Sequence, residues 1–250
     1  MTHRHAQSGL LISIDLEHIG EVSPHARQRA ASICQQLLDT FDRLRVSATW
    51  GLADPGKSVL ARSINARRTT HEIAVVADTA WNADRVVFSR ELGRRVEHAR
   101  GVGIRVSSLF TSQLEIGSYL DLLVKNRIRV VRSEGAANEQ WQAHSERYGV
   151  WEPPRPLDLT HAQPWWLGGS RSVRRCINRA VEVGETCHFR VDVAQAIDRQ
   201  LEIRGFEAAL RVAAARVSRG EMLSTTLGHQ VAQLGFVRNS GPARSILRAA

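Results

Sequence analysis

The feature that most constrains the fold is a rhythm, in which short apolar runs alternate with helical stretches from Leu10 to Val131. The run Leu10-Leu11-Ile12-Ser13-Ile14 ends in Asp15, as a buried parallel strand does when it delivers a polar residue to the carboxyl edge of a sheet. Ser23-Pro24 opens a helix, and Ile33, Leu37, Leu38, Phe41 and Leu44 recur at helical spacing. A strand over 46–50, a loop over 51–58 and a helix over 59–65 follow. The pattern then predicts a strand at 73–77, a helix at 87–100 stopped by Gly101 and Gly103, a strand at 104–110, a helix at 119–126 and a strand at 128–131. Repeated β-then-α units imply a parallel sheet, and such sheets keep their sites at the carboxyl edge.

Between 133 and 169 the rhythm dissolves into a polar stretch holding Trp151, Pro153, Pro154, Pro156, Trp165 and Trp166. A long irregular segment inside a compact domain reads as an active-site wall or a lid. A strand at 185–193, a helix at 205–219 and a strand at 222–226 resume the pattern. We expect a flexible N-terminus over 1–9, one domain over 10–237 and a loose tail over 238–250.

The net charge is +9, and the basic residues are mostly Arg. That favours an anionic ligand. Against it, Arg90, Arg94, Arg95 and Arg100 are spaced along a helical stretch and read better as a solvated face. No aromatic residues interleave with them as a base-stacking platform requires, which argues against nucleic acid. Cys34, Cys176 and Cys187 form no CxxC pair and read as buried or free thiols. No apolar run approaches 18 residues, so no membrane association is expected and the cytoplasm is the expected location.

One segment, Gly51-Leu52-Ala53-Asp54-Pro55-Gly56-Lys57-Ser58, satisfies the P-loop pattern G-x-x-x-x-G-K-S between a strand and a helix. It would make the chain a nucleotide triphosphatase, with Lys57 on the terminal phosphates and Ser58 on Mg²⁺. Pro55 removes one amide from that cradle and Asp54 adds a charge that repels phosphate.

A competing pattern uses more of the chain. Leu10–Glu17 (LLISIDLE), Leu37–Trp50 (LLDTFDRLRVSATW), His71-Glu72-Ile73, Tyr119–Arg132 (YLDLLVKNRIRVVR), Cys187–Asp192 and Met222–Leu227 occur in order. Together they resemble the signature segments of the NodB-homology polysaccharide deacetylases, the carbohydrate esterase family 4 type. The resemblance implies a distorted, TIM-like (β/α) barrel and a link to carbohydrate metabolism. In active members it implies deacetylation of a glycan by a divalent metal held by one Asp and two His, a carboxylate base and a His acid. The two metal histidines would fall at Val76 and Ala80, neither of which can ligate. The family's Arg-containing loop would fall at Thr111-Ser112-Gln113, and the terminal His near Asp192.

On this resemblance the expected site has catalytic Asp15 and Asp192, no metal and no cofactor. Glu17, His71, Trp165, Trp166 and His188 are the candidate substrate contacts. Asp15 and Glu17 at i and i+2 share a strand face and suit a cation or an amino sugar; they suit a helix cap and a surface ion pair as well. His71 and His188 read as compensating groups or as structural histidines, and Trp165-Trp166 as a sugar platform or a hydrophobic plug. The expected function is a metal-free, catalytically impaired deacetylase-like protein that binds a glycan, an acetylated sugar or a partner. An active hydrolase with a rebuilt site and the P-loop enzyme are the alternatives.

Overall fold

In the computed structural model, residues 8–16, 23–112, 116–133, 144–145, 147–160, 169–198 and 203–239 are described. One sheet organises them. Its strands are β1 (Ser8–Asp15), β2 (Thr49–Leu52), β3 (Glu72–Ala77), β4 (Val106–Thr111), β5 (Val130–Ser133), β6 (His144–Ser145), β7 (Trp151–Glu152), β8 (Leu157–Asp158), β9 (Thr186–Asp192) and β10 (Met222–Ser224). The order is β6-β7-β5-β4-β3-β2-β1-β9-β8, with β10 beside the first residues of β1. Every pairing is parallel apart from β6 with β7.

Four strand intervals separate β1 from β5, roughly 19 Å in a flat sheet. Yet Arg132 on β5 lies 2.7 Å from Asp15 on β1, so the sheet must curl until its inner face closes on itself. The chain forms a distorted (β/α) barrel.

Strand alternation sorts the core into two clusters. Leu10, Ile12 and Ile14 face outward and join Val75, Leu109, Phe189 and Val191 under the helices. Inside the barrel, Leu11, Ala74, Val76, Phe110, Val130 and Trp151 form a separate cluster. Gly51 faces the same interior, where an added Cβ would lie 2.4 Å from the Phe110 ring.

The helices follow local signals. α1 (Pro24–Leu44) starts where the Ser23 hydroxyl accepts the Ala26 N–H and ends where Arg45 turns left-handed at φ 54°. Ser58 caps α2 (Val59–Asn65) and Asp84 caps α3 (Arg85–Gly101). α4 (Leu120–Lys125), α5 (Gly169–Val183), α6 (Val193–Asp198), α7 (Ile203–Ser218) and α8 (Leu227–Asn239) complete the set. Among the described residues no helix is long and apolar enough to cross a membrane.

Several boundaries differ from expectation. β2 begins at Thr49 rather than Val46 because the Ser47 and Ala48 amides donate to the Ser224 hydroxyl and the His71 ring instead of a neighbouring strand. β1 begins at Ser8 rather than Leu10, and α8 runs to Asn239. α5, α6 and α8 are not among the elements expected from the sequence.

α8 closes the amino end of the barrel, where Leu227 and Val231 join the interior cluster. Glu72 holds it there. Its carboxylate accepts the Gly228 N–H at 2.8 Å, the Thr49 hydroxyl at 3.1 Å and the hydroxyls of Ser107 and Ser108 at 2.8 and 2.5 Å. A side chain at 228 would sit 2.7 Å from this carboxylate, so glycine is what permits the approach. Glu72→Ala leaves these donors without their acceptor and should cost about 1–3 kcal/mol. The urea midpoint reads the loss, and Glu72→Gln should recover part of it.

Candidate functional site at the barrel mouth

The carboxyl edge of the sheet gathers charge in a small buried space. Asp15 ends β1 and Asp192 ends β9, and the two are register partners on neighbouring parallel strands. Alternation along β9 turns His188, Arg190 and Asp192 into the barrel, while Cys187, Phe189 and Val191 face the helices. Arg132 comes from the carboxyl half of β5.

Asp15 is 4% exposed and Arg132 is 3% exposed. Arg132 Nη2 donates to Asp15 Oδ2 at 2.7 Å, and Nη1 stands 2.7 Å from Oδ1. The guanidinium also lies over the Phe110 ring, 3.9 Å from its centroid. Arg190 Nε donates to Asp15 Oδ2 at 2.5 Å. Its other nitrogens reach Asp192 at 3.5 Å and Asp158 at 3.7 Å. Burial by itself would raise the Asp15 carboxyl, but the Arg132 and Arg190 guanidinium groups outweigh it and hold the pKa below the usual carboxylate value.

His188 sits one layer deeper and is neutral. Its Nδ1–H donates to the Pro154 carbonyl at 2.7 Å, which leaves Nε2 to accept the Ser13 hydroxyl at 2.6 Å. Pro154 belongs to the connection between β7 and β8, strands paired with β5 and β9 on opposite flanks of the sheet. The imidazole therefore ties this crossing segment to β1. Desolvation is the main reason its pKa falls to about 3.

Asp192 is occupied as the cap of α6, where its oxygens accept the Gln195 N–H at 3.0 Å and the Gln195 side-chain amide at 3.1 Å. His71 precedes β3 and so lies at the opposite end of the barrel from Asp15. Its Nδ1 accepts the Ala48 N–H, and its ring packs among Phe41 and Trp50. Desolvation lowers its pKa to about 4. Glu17, Trp165 and Trp166 lie outside the described residues.

The structure thus brings Asp15, Asp192 and His188 together and places His71 apart from them. Arg132 and Arg190 are the site residues that the sequence reading passed over. Their signal was present: an arginine at the carboxyl edge of an apolar strand, and the inward series His188, Arg190, Asp192 at strand spacing.

The site does not suit a divalent metal. Asp15 already faces two guanidinium groups, Val76 belongs to the barrel's apolar interior, and Ala80 lies in a 3₁₀ turn over Thr79–Ala83. Among the described residues no three His, Cys, Asp or Glu side chains are grouped to hold an ion.

The P-loop reading of Gly51–Ser58 is corrected by the local geometry. Gly51 lies within β2. The Lys57 and Ser58 amides donate to the Asp54 and Pro55 carbonyls, and the Ser58 hydroxyl caps α2. Asp54 faces His98 and Arg94 at 3.5 and 3.7 Å. The donors that a phosphate needs are spent on a turn, and an acidic side chain stands among them.

No protein-family model and no curated protein sequence matches the chain. Solved structures do. A Mycobacterium smegmatis protein assigned as a polysaccharide deacetylase aligns over 95% of this chain and 94% of its own, with a TM-score of 0.71 and 14% identity. The chain has the polysaccharide-deacetylase fold. The Puue allantoinase shares it at a TM-score of 0.69 and 10% identity, over 94% of this chain and 92% of its own. A Pseudomonas aeruginosa PAO1 protein assigned as a polysaccharide deacetylase gives 0.65 and 12%, over 90% and 89%. The deacetylase fold therefore accommodates a barrel mouth in which Arg132 and Arg190 face the aspartate that ends the first strand.

One buried and one half-buried histidine, both neutral, make the fold sensitive to acid. Unfolding returns each to an ordinary pKa near 6.5, so below that pH the unfolded chain takes up protons that the folded chain refuses. Their contribution is complete above about pH 6.5 and is lost as pH falls toward about 4 for His71 and about 3 for His188. Stability measured by denaturant titration should drop by roughly 3 kcal/mol per pH unit between pH 6 and 4.5. His71→Asn, which keeps an acceptor for the Ala48 amide, should halve that slope; an unchanged slope contradicts the assignment.

Proposed function

We propose that the protein is a deacetylase-fold binding protein of carbohydrate metabolism, metal-free and catalytically impaired, that takes a glycan or acetylated sugar at the barrel mouth. The observation that carries this reading is the engagement of Asp15 by Arg132 and Arg190. A carboxylate held below its ordinary pKa by two guanidinium groups is a weak base, and its Oδ2 accepts from both of those cations.

Proton donation is equally restricted. Both ring nitrogens of His188 are engaged, and with a pKa of about 3 it carries no transferable proton near neutrality. Asp192 spends its oxygens on α6 and on Arg190. Buried arginine and aspartate in fixed geometry are instead good partners for hydroxyl and amide groups, which is what a ligand of the sugar class presents. Glu17, Trp165 and Trp166 are carried as candidate ligand contacts on the sequence resemblance alone.

The excess arginine has a second destination. Arg67, Arg85, Arg94, Arg100, Arg211 and Arg216 form ion pairs with Asp42, Asp121, Glu91, Glu97, Glu207 and Glu221. Much of the positive charge therefore serves helix surfaces, and an anionic ligand is not needed to account for it. The free state of all three cysteines suits a reducing compartment, in keeping with action in the cytoplasm.

Purified protein incubated with zinc, nickel or cobalt and then desalted should retain no stoichiometric metal. It should release no acetate from acetylated chito-oligosaccharides above the uncatalysed rate, while a glycan array should register binding that Arg132→Met weakens at least tenfold. Metal-stimulated acetate release that disappears in Asp15→Asn would replace this reading with that of an active hydrolase.

A further inference from the structure

α5 lies against the outer face of β9 and β1. Its inward stripe is Val173, Cys176, Ile177 and Ala180, all buried at the i, i+3, i+4, i+7 spacing of a packed helix. The Ser8 hydroxyl donates to the Ala180 carbonyl at 2.9 Å and fixes the end of the helix onto β1. On the sheet side the outward series of β9 begins with Cys187. Helix stripe and strand face thus set two thiols against each other, close enough for each to shift the ionisation of the other.

From this juxtaposition we propose that Cys176 and Cys187 form an oxidative modification site, which closes to an intramolecular disulfide when the folded protein meets a hydroperoxide. The neighbouring Cys187 thiol and the positive charge of Arg179 favour the thiolate at Cys176, so Cys176 is the more readily ionised of the pair. The Cys176 sulfur beside it and burial keep Cys187 protonated. Cys176 is also the less enclosed, at 8% exposure against 1%.

The Cys176 thiolate attacks one peroxide oxygen, the O–O bond breaks, and the departing alkoxide or hydroxide takes a proton to leave as alcohol or water. Cys176 becomes a sulfenic acid. Cys187 sulfur then attacks Cys176 sulfur, the S–O bond breaks, and the Cys187 proton leaves with the hydroxyl as water. The two sulfurs are oxidised by two electrons in all, and the peroxide is reduced by two. Cys34 stands apart in α1, and burial pushes its pKa up to about 12, so it serves as an internal reference.

The disulfide would join α5 to the strand that carries His188, Arg190 and Asp192. This site is independent of the ligand reading at the barrel mouth, since it lies on the other face of β9.

The test is exposure of the full native chain to hydrogen peroxide, followed by thiol counting after denaturation and by peptide mapping without reductant. Titratable thiols should fall from three to one, with a 176–187 cross-link recovered and Cys34 still reduced. Dithiothreitol should restore all three, and Cys176→Ser should abolish the cross-link. The wild-type map alone decides the matter if that variant does not fold. Unchanged thiols, a disulfide through Cys34, a cross-link between two chains, or sulfinic or sulfonic Cys176 without a bond to Cys187 would each overturn the proposal.

Discussion

Arg132 reaches across the inside of the barrel to Asp15, joining β5 to β1 over an interval that four strand spacings would otherwise keep apart. Neither group could be buried alone, because an unpaired charge in such a place costs several kcal/mol. Together they require the sheet to be curled, and they fix how closely its two halves approach. The Phe110 ring beneath the guanidinium, and Gly51 beneath the ring, fill the space that this curvature leaves. Arg190 and His188 extend the same logic to the seam, one by pairing with Asp158 beside β9 and the other by holding the Pro154 carbonyl.

The barrel interior is thus built in layers with different physics. Glu72 and its hydroxyl donors anchor α8 at the amino end, an apolar layer around Leu11 and Phe110 fills the middle, and ions occupy the carboxyl end. In this fold the carboxyl end is where ligands bind. There the Arg132 and Arg190 guanidinium groups hold Asp15 between them and keep its carboxyl below the usual carboxylate pKa. The fold is shared at 10 to 14% identity, because the scaffold depends on strand alternation and helix packing rather than on the chemistry of the mouth.

Much of the scaffold was legible in the chain because periodicity reports burial. The 59–65 helix and the strands around Leu10–Asp15 and Ile73–Ala77 came from local pattern, and tertiary structure left them in place. α8 escaped because glycines at 228 and 235 interrupt its apolar spacing, and the reason for Gly228 is its contact with Glu72, a residue far away in the chain. In α5 the apolar stripe at Val173, Cys176, Ile177 and Ala180 is interspersed with Arg171, Arg174, Arg175 and Arg179, which blurs its period. β6 to β8 are two-residue strands, too short for any period to declare itself.

The site was legible in part. Asp15 could be placed from its strand end alone, and its register with Asp192 follows from the parallel sheet. That Arg132 would meet Asp15 could not be read, since the contact joins residues 117 apart in sequence and depends on curvature rather than on any local motif. His71 shows the converse: a motif-like His-Glu-Ile segment whose histidine serves the Ala48 amide at the far end of the barrel.

A double-mutant cycle between Asp15→Asn and Arg132→Met, followed by equilibrium unfolding at pH 7, tests the account at its centre. Each single change should cost about 3–5 kcal/mol, and the double variant should lose much less than their sum, giving a coupling above roughly 2 kcal/mol. Additive losses would mean that the two side chains do not depend on each other, and the barrel mouth would then have to be described without this ion pair.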